Sequence, residues 1–456
     1  MQEEIVIDAF AGRGGASTGI ELAIGRSVDI AINHDPDAIR VHKTNHPNTL
    51  HITEDIFSVD LRKYLKWGQR VKLLWASPDC TSHSKAKGGK PREKGLRILP
   101  WAVYKLCKQI LDITGFLPEV IIMENVEEIQ DWGPLDVNGH PIKARKGEDY
   151  NRFIHMMKSL GFSFDSRELI AADYGAPTTR NRWYGVFRCD GKPIDWPEVS
   201  HNKNGTDGYK KWVPIWQCLD WSDLGSSIFT RKTQLKEKTL NRIARGIQKF
   251  VIDDPNPYIL ADSIASPFLI QYHSETSGDY VRGQNVKEPI KTIDTSNRYG
   301  LVTAFLTKFY KTGTGQSAVE PIHTVTTSPG HFGLVSAFLI KYYGNGTGQK
   351  VNEPIGTIVT RDRFGLVSVV IQGEHYQIVD IWLRMLKPEE LKLGQGFPKA
   401  YVIDRDYTGK KYPKSKQVEG IGNSVVPVMA EALVRANLPE LCIDEFEDKD
   451  LQYALC

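Results

Sequence analysis

In the stretch from Ser77 to Gly89, SPDCTSHSKAKGG, a cysteine stands behind a proline and an aspartate and ahead of hydroxyls, a histidine and lysines. A thiol attacks as its thiolate, and nearby cations favour that form. Lys85, Lys87 and Lys90 follow Cys80 closely. A lone cysteine more often packs than reacts, but a loop this polar is a poor place to bury one. Glu124 directly follows the apolar run Ile121 to Met123. A carboxylate there is costly unless it is paired or employed, the ordinary alternative being a helix cap. Arg180 and Arg182 stand two apart, on one face of an extended segment. Such a pair suits a phosphate or a carboxylate, though arginines at a sheet edge can also be surface charges.

A second set of residues points to a small ligand. In DAFAGRGGASTGIELA, Gly12, Gly14 and Gly15 permit a sharp turn and a close backbone approach just before a helix N-terminus. By itself such a turn is weak, since it can simply join a strand to a helix. Asp35, in INHDPDAI, stands where a strand-end carboxylate accepts from the ribose hydroxyls of an adenosine, and Asp55, in TEDIF, follows at the next strand end. Together they suggest a nucleoside-containing cofactor. The loop lacks the Lys-Ser/Thr of a phosphate-binding loop, so a dinucleotide or S-adenosylmethionine suits it better than ATP.

The elements that must hold these residues read as α/β. Apolar runs at IVIDAFAG, VDIAINHD, VKLLWASP, EVIIMENV, ELIAADYG and RWYGVF alternate with helical stretches such as ASTGIELAIG and ILPWAVYKLCKQILDITG. This predicts a parallel sheet with ligands beyond the carboxyl ends of its strands. From about residue 265 a repeat takes over, with copies beginning at Phe268, Phe305 and Phe338. Each copy carries an aromatic-rich strand, an EPI step and an aromatic-Gly-Leu-Val ending, so three copies predict a small β-rich domain. After about 378, RMLKPEELKLGQGFP and GIGNSVVPVMAEALVRANL predict a short helix, then a turn leading into an amphipathic helix that packs back on the first domain.

The bulk properties exclude more than they select. The 456 residues allow two or three domains, and a net charge of +3 means that a polyanion must be met by a local patch. Six cysteines without a Cys-x-x-Cys pair argue against a zinc ribbon or disulfide scaffold and predict a reducing compartment. The N-terminus reads as a strand and no long apolar run occurs, so a cytoplasmic protein without membrane contact is expected.

Taken in order, these segments resemble the DNA cytosine carbon-5 methyltransferases. DAFAGRGG is similar to the family's first cofactor motif, SPDC to its Pro-Cys motif and MENV to its Glu-Asn-Val motif. APTTRNRWYGV resembles its Gln-x-Arg-x-Arg segment and GNSVVP its Gly-Asn-Ser/Ala-Val motif. The resemblance implies a Rossmann-like S-adenosylmethionine-dependent domain with an inserted β-rich target-recognition domain. On this reading residues 1–194 are catalytic, 195–375 hold the repeats and 376–456 complete the catalytic domain. It implies that Cys80 adds to carbon 6 of a flipped-out cytosine, that Glu124 contacts ring nitrogen 3 and the exocyclic amine, and that Asn125 orders the Glu124 and Cys80 loops. Arg182 would contact the base carbonyl or its loop, with Arg180 alongside. Phe10, Gly12 and Gly14 would line S-adenosylmethionine, Asp35 would bind its ribose, Asp55 and Ile56 its adenine, and Asn423, Ser424 and Val425 would close the pocket.

Two departures are visible. Asp79 replaces the family's usual proline before the cysteine, and Thr178 replaces the glutamine of the arginine segment. The repeat loops offer Arg298, His331, Arg361 and Arg363 for base edges, and Lys308, Lys311 and Lys341 for phosphates. Tyr299, Phe332 and Phe364 read first as core. The expected partner is double-stranded DNA, with a restriction endonuclease as a possible companion and a monomer as the working form; no metal is expected. An RNA cytosine methyltransferase, a catalytically silent DNA-binding relative and an enzyme using an altered cofactor are the competing readings.

Overall fold

The computed structural model describes residues 4–79, 98–260, 265–272, 283–308, 338–341, 349–350, 364–365, 368–371 and 374–444. It divides into two compact units. The first comprises Met1–Cys218, Pro289–Ser296 and Pro388–Cys456; the second comprises Leu219–Glu288 and Asn297–Lys387. The boundaries expected at 195 and 375 thus compare with observed ones at 219 and 387, and a short piece of the middle region belongs to the first unit.

The first unit is built on a seven-stranded sheet of β1 (Glu4–Ala9), β2 (Ile30–Ile32), β3 (Leu50–Ile52), β4 (Arg70–Ala76), β5 (Val120–Asn125), β6 (Ser163–Ile170) and β7 (Asn181–Arg188), in the order β3-β2-β1-β4-β5-β7-β6. The interior of β1, β4 and β5 is buried on both faces, the pattern of near-continuous apolar runs that crossovers cover with helices. β1 to β5 run parallel. The sheet is not wholly parallel, however: β7 runs antiparallel to both β5 and β6. Only a short connection, with a single 3₁₀ turn at Ala171–Tyr174, joins β6 to β7, and a parallel return needs a crossover of a dozen or more residues. The same turn ends the strand expected through ELIAADYG at Ile170.

Four helices of this unit are α1 (Gly15–Ile24), α2 (Pro36–Asn45), α3 (Leu99–Thr114) and α4 (Glu148–Ser159). α3 begins with a proline near its N-terminus and ends at Gly115 with φ 83°, the left-handed stop that glycine adopts without strain. Its buried side, including Val103, Leu106, Cys107 and Ile110, joins the core beneath the sheet. The opposite core holds Ile20 and Ala23 of α1 against Val425, Val426, Met429 and Leu433.

The second unit carries an antiparallel sheet. Two short strands of the first unit, β8 (His201–Asn202) and β9 (Lys210–Lys211), precede it. Its path is β10 (Ser226–Ser227), β18 (Glu374–Met385), β13 (Tyr299–Lys308), β11 (Ala265–Gln271) and β12 (Gly283–Asn285), with β17 (Ser368–Ile371) also on β18. A separate three-stranded sheet contains β14 (Phe338–Lys341), β15 (Gln349–Lys350) and β16 (Phe364–Gly365). The openings of all three repeat copies, Phe268, Phe305 and Phe338, therefore lie in strands. The helix α5 (Glu237–Ile247) covers one face of the larger sheet, burying Ile243 and Ile247 with Phe268, Val302 and Leu383.

Three helices close the chain within the first unit: α6 (Pro388–Gly394), α7 (Lys414–Asn423) and α8 (Pro427–Asn437). The turn expected at GIGN is instead the end of α7. Among the described residues, no helix is long and apolar enough to cross a membrane.

Candidate active site

The parallel strands bring their carboxyl ends to one edge, and the antiparallel β7 brings its start there. Asn125 is paired with Trp183 and Glu124 with Tyr184 across β5 and β7. Arg182 consequently reaches Glu124, with Nε 3.3 Å from Oε1. Glu124 is 7 % exposed. Neither of the two facing atoms has a hydrogen-bond partner among the described residues. A buried carboxylate beside a guanidinium, each with bonding capacity left over, is a place for a polar ligand rather than a completed structural pair.

Asn125 is committed to the neighbouring strand end. Its Nδ2 donates to the Pro78 carbonyl at 3.0 Å, while its Oδ1 accepts from the Val126 amide at 2.9 Å. Pro78 precedes Asp79 and Cys80; Cys80, with the lysines behind it, lies outside the described residues. Arg180 does not stand beside Arg182 as two residues sharing a strand face would. It precedes β7, is buried, and donates from Nη1 to the carbonyls of Gly422 at 3.0 Å and Ile293 at 3.4 Å. Thr178 accepts from the Arg180 amide and bridges to Ile290. The arginine segment is therefore anchored through Arg180 and presents Arg182.

The glycine turn follows β1. Phe10 has φ 65°, an uncommon conformation for a bulky residue, and Gly12 and Gly14 have φ 53° and 93°. Gly14 caps α1, whose first amides need partners from outside the helix. A side chain at Gly15 would collide with the Val425 carbonyl, so the glycine allows the C-terminal segment to close on the turn. Ser424 is fixed there by bonds to the Gly420 carbonyl and from Gln395, while Asn423 is exposed at the end of α7.

Asp35 and Asp55 are exposed beyond β2 and β3. Asp35 caps α2 through the Asp37 amide at 2.9 Å, and Asp55 accepts from the Phe57 amide at 2.9 Å. Ile56 is buried in the adjoining core. A strained glycine turn, a helix N-terminus and two exposed strand-end carboxylates match the donors and acceptors of an adenosine-containing cofactor.

Sequence reasoning missed the layer behind this turn. Asp8 is fully buried, and its Oδ2 accepts from Ser17 at 2.7 Å. Burial pushes the Asp8 carboxyl up to about 7 against the opposing Ser17 bond. Ser17 lies 2.9 Å from His42 Nε2, and His42 Nδ1 lies 2.9 Å from His51. Burial lowers both imidazoles, His42 well below its ordinary value and His51 to about 4. In parallel, His46 meets Glu21 at 2.6 Å. Burial alone would raise Glu21, but bonds from His46 and Ser27 outweigh it and hold the carboxyl below its usual range. Tyr401 donates to the Arg13 carbonyl and Thr18 to the Gly14 carbonyl at 2.6 Å, so this layer grips the turn from beneath.

Arg13 is also unforeseen. Its side chain is 8 % exposed and lies 5.3 Å over the Tyr412 ring. Its Nη1 has no hydrogen-bond partner among the described residues. An arginine inside a glycine turn, and histidines four apart at 42 and 46, were the available signals. Despite the cluster, no group of three metal-ligating side chains occurs among the described residues.

In the second unit Tyr299 is buried, with its hydroxyl accepting from Gln271 at 3.0 Å. Arg298 donates to the Tyr272 carbonyl at 3.3 Å. Lys311, His331, Phe332, Arg361 and Arg363, and the side chains of Lys308, Lys341 and Phe364, lie outside the described set.

With this geometry in place, comparison with known proteins is informative. A family model described as C-5 cytosine-specific DNA methylase matches residues 5–438. Type II methyltransferase M.AquIA of Picosynechococcus sp. is 27% identical over 205 residues, which cover 44% of this chain and 77% of the relative. For M.AgeI of Thalassovita gelatinovora the values are 29% over 200 residues, 43% and 42%. For M.SacI of Streptomyces achromogenes they are 28% over 218 residues, 44% and 52%. The chain thus spans about half or less of the latter two relatives. The solved S. pombe Dnmt2 methyltransferase aligns over 96% of this chain and 99% of its own, with a TM-score of 0.50 and 14% identity, a likeness of fold.

Proposed function

Because the chain belongs to the C-5 cytosine-specific DNA methylase family, we propose that it methylates carbon 5 of cytosine at a short specific site in double-stranded DNA. The observation that carries this reading is the Glu124–Arg182 pair, set beside a Pro78 carbonyl that Asn125 holds two residues ahead of Cys80. Cytosine carbon 5 is a poor nucleophile, so the ring must first be activated. The Cys80 thiolate adds to carbon 6, and negative charge moves toward ring nitrogen 3. Glu124 supplies the proton or hydrogen bond that relieves it there, and its buried position strengthens the contact. Arg182 holds the Glu124 carboxyl in place and offers donors to the base carbonyl. After transfer, solvent takes the carbon-5 proton as the Cys80 thiolate is expelled from carbon 6, and ring nitrogen 3 gives up to Glu124 any proton it received, restoring the ring. The base must be turned out of the duplex to reach these groups.

S-adenosylmethionine supplies the methyl group when bound. Phe10, Gly12 and Gly14 would form its cradle and Asp35 would accept from its ribose. Asp55 and Ile56 would flank its adenine, with Asn423, Ser424 and Val425 on the closing side. The first unit then serves catalysis and the second serves target recognition. The relatives are described as type II methyltransferases, so a matching restriction endonuclease is the companion to seek, and a monomer suffices to hold one turned-out base.

The test is mass spectrometry of nucleosides from duplex DNA and from transfer RNA incubated with the protein and S-adenosylmethionine, beside Cys80→Ala. 5-Methylcytosine in DNA, formed by the intact protein and lost in the variant, is expected. Product in RNA alone, or undiminished product from the variant, would overturn the assignment.

A further inference from the structure

A run of basic residues lies on, and just before, one helix of the second unit. Between Arg231 and Lys249 stand seven lysines and arginines against one carboxylate, Glu237, an excess larger than the +3 of the whole chain. Arg231, Lys232, Lys236, Lys238, Arg245 and Lys249 are exposed. Within α5 and its π-helical continuation Gln248–Ile252, Lys238, Arg242, Arg245 and Lys249 recur at spacings of four, three and four residues. At 100° per residue they fall within roughly 60° of arc and extend about 16 Å along the helix.

This stripe is rigidly mounted. Ile243, Gly246, Ile247 and Phe250 face the sheet, and a side chain at Gly246 would drive into the Phe268 ring. Arg242 is braced over Tyr272 at 5.2 Å. Among the described residues, no ion pair engages Lys236, Lys238 or Lys249. The helix gains nothing from the cations at its start either. Lys236 is the N-cap and Lys238 sits in the first turn, where the positive end of the helix dipole repels a cation. Lysines that weaken the start of the helix, with no ion pair among the described residues, complement an external polyanion.

We propose that the α5 stripe is a docking surface for the phosphate backbone of duplex DNA, giving affinity without sequence discrimination. This rests on the DNA-methylating reading above. A length of about 16 Å spans roughly five 3.4 Å steps of the duplex axis, enough for the cations to reach several backbone phosphates. Arginine and lysine side chains serve phosphate contacts that position a protein on the duplex without carrying sequence information.

The experiment is equilibrium binding of fluorescent duplexes, one containing the methylated site and one unrelated, between 50 and 200 mM salt. The proteins are wild type, Lys238→Gln/Arg245→Gln/Lys249→Gln, and Lys238→Arg/Lys249→Arg. Glutamine keeps helix propensity, and the arginine variant keeps the charge. Each cation released from DNA contact changes the slope of log affinity against log salt by about 0.9, so the triple variant should lose ~2.7 from the slope. Its fold-loss across that salt range should be smaller by about fortyfold, equally for both duplexes, while the arginine variant retains the wild-type slope. A triple variant that melts normally and keeps the full slope overturns this inference alone. So does a defect confined to the site-containing duplex, or one seen only with RNA. A wild-type protein that neither binds nor methylates duplex DNA overturns the underlying reading as well.

Discussion

The two sheets of this molecule organise their chemistry by different rules. In the first unit, parallel β1 to β5 deliver Gly12, Asp35, Asp55, Pro78 and Glu124 to one edge, because each of them lies at or just beyond the carboxyl end of a strand. In the second, β11, β13 and β18 are antiparallel neighbours, so their ends alternate and no edge collects them. There a stripe of exposed basic residues lies on the covering helix. The cores differ as well. The first unit buries carboxyls at Asp8, Glu124, Glu390, Asp406 and Glu431, whereas the described buried polar residues of the second are the neutral Ser266, Gln284 and Thr303. A parallel sheet thus gathers functional groups and must accommodate buried charge; an antiparallel sheet under an amphipathic helix separates core from contact surface.

The contrast can be broken most sharply at Glu124. Glu124→Gln should lower the methylation rate by about 10²–10⁴-fold in single-turnover assays, with little change in the salt slope of DNA binding. Loss of binding with an intact rate would dissolve the division between an edge for chemistry and a helix for docking. Next in size is the buried charge. The folded Asp8 holds its proton up to about pH 7, while the unfolded group releases it near 4. Its contribution to stability therefore falls as pH rises from about 4 to 7. His42 and His51 act oppositely: unfolding lets them take up protons below about pH 6.5, so stability is lost as pH falls through that value. Asp8→Asn should leave only the histidine trend. Denaturation should show a stability difference between pH 8 and pH 5 shifted in favour of pH 8 by up to ~2.7 kcal/mol relative to wild type. Hydrogen exchange should place that change in the first unit.

The smallest effect compares two glycines. Gly15→Ala meets the rigid Val425 carbonyl, and Gly246→Ala meets the Phe268 ring, whose rotation can absorb part of the clash. Overpacking should cost about 1–3 kcal/mol at each, less at Gly246, where alanine also regains ~1 kcal/mol of helix propensity. Melting curves give the two costs. Gly15→Ala should also raise the KM for S-adenosylmethionine and Gly246→Ala the Kd for DNA; the reverse pattern would invert the comparison.

What could be read from the sequence follows the same division. Glu124 ending an apolar run, the glycine turn and the carboxylates after successive strands are local signals, and a parallel sheet turns local signals into a shared location. Direction was not local. The reversal of β7 depends on the brevity of the β6–β7 connection, and it is this reversal that brings Arg182, two residues before the partner of Glu124, within reach of its carboxylate. Arg180 finds carbonyls at Ile293 and Gly422, separations that no strand periodicity reports. Asp8 carries no local signal of its protonated character, which arises from complete burial that the opposing Ser17 bond only partly offsets. In the second unit the repeat foretold strands at Phe268, Phe305 and Phe338. The basic stripe stands outside the repeat, and its periodicity had to be placed on a helix before it had a face.

The segment Pro289–Ser296 has a consequence for exchange between proteins. It returns from the second unit to the first, pairs Thr178 with Ile290 and gives Arg180 its Ile293 carbonyl. Its Asp294 backbone also leaves no room for a side chain at Gly422. The chain therefore passes between the units four times rather than twice. A recombinant in which residues 219–387 were replaced as one cassette would remove a staple of its host along with the passenger. Exchange of the second unit would require two separate grafts, on either side of an eight-residue stitch that must stay with the recipient.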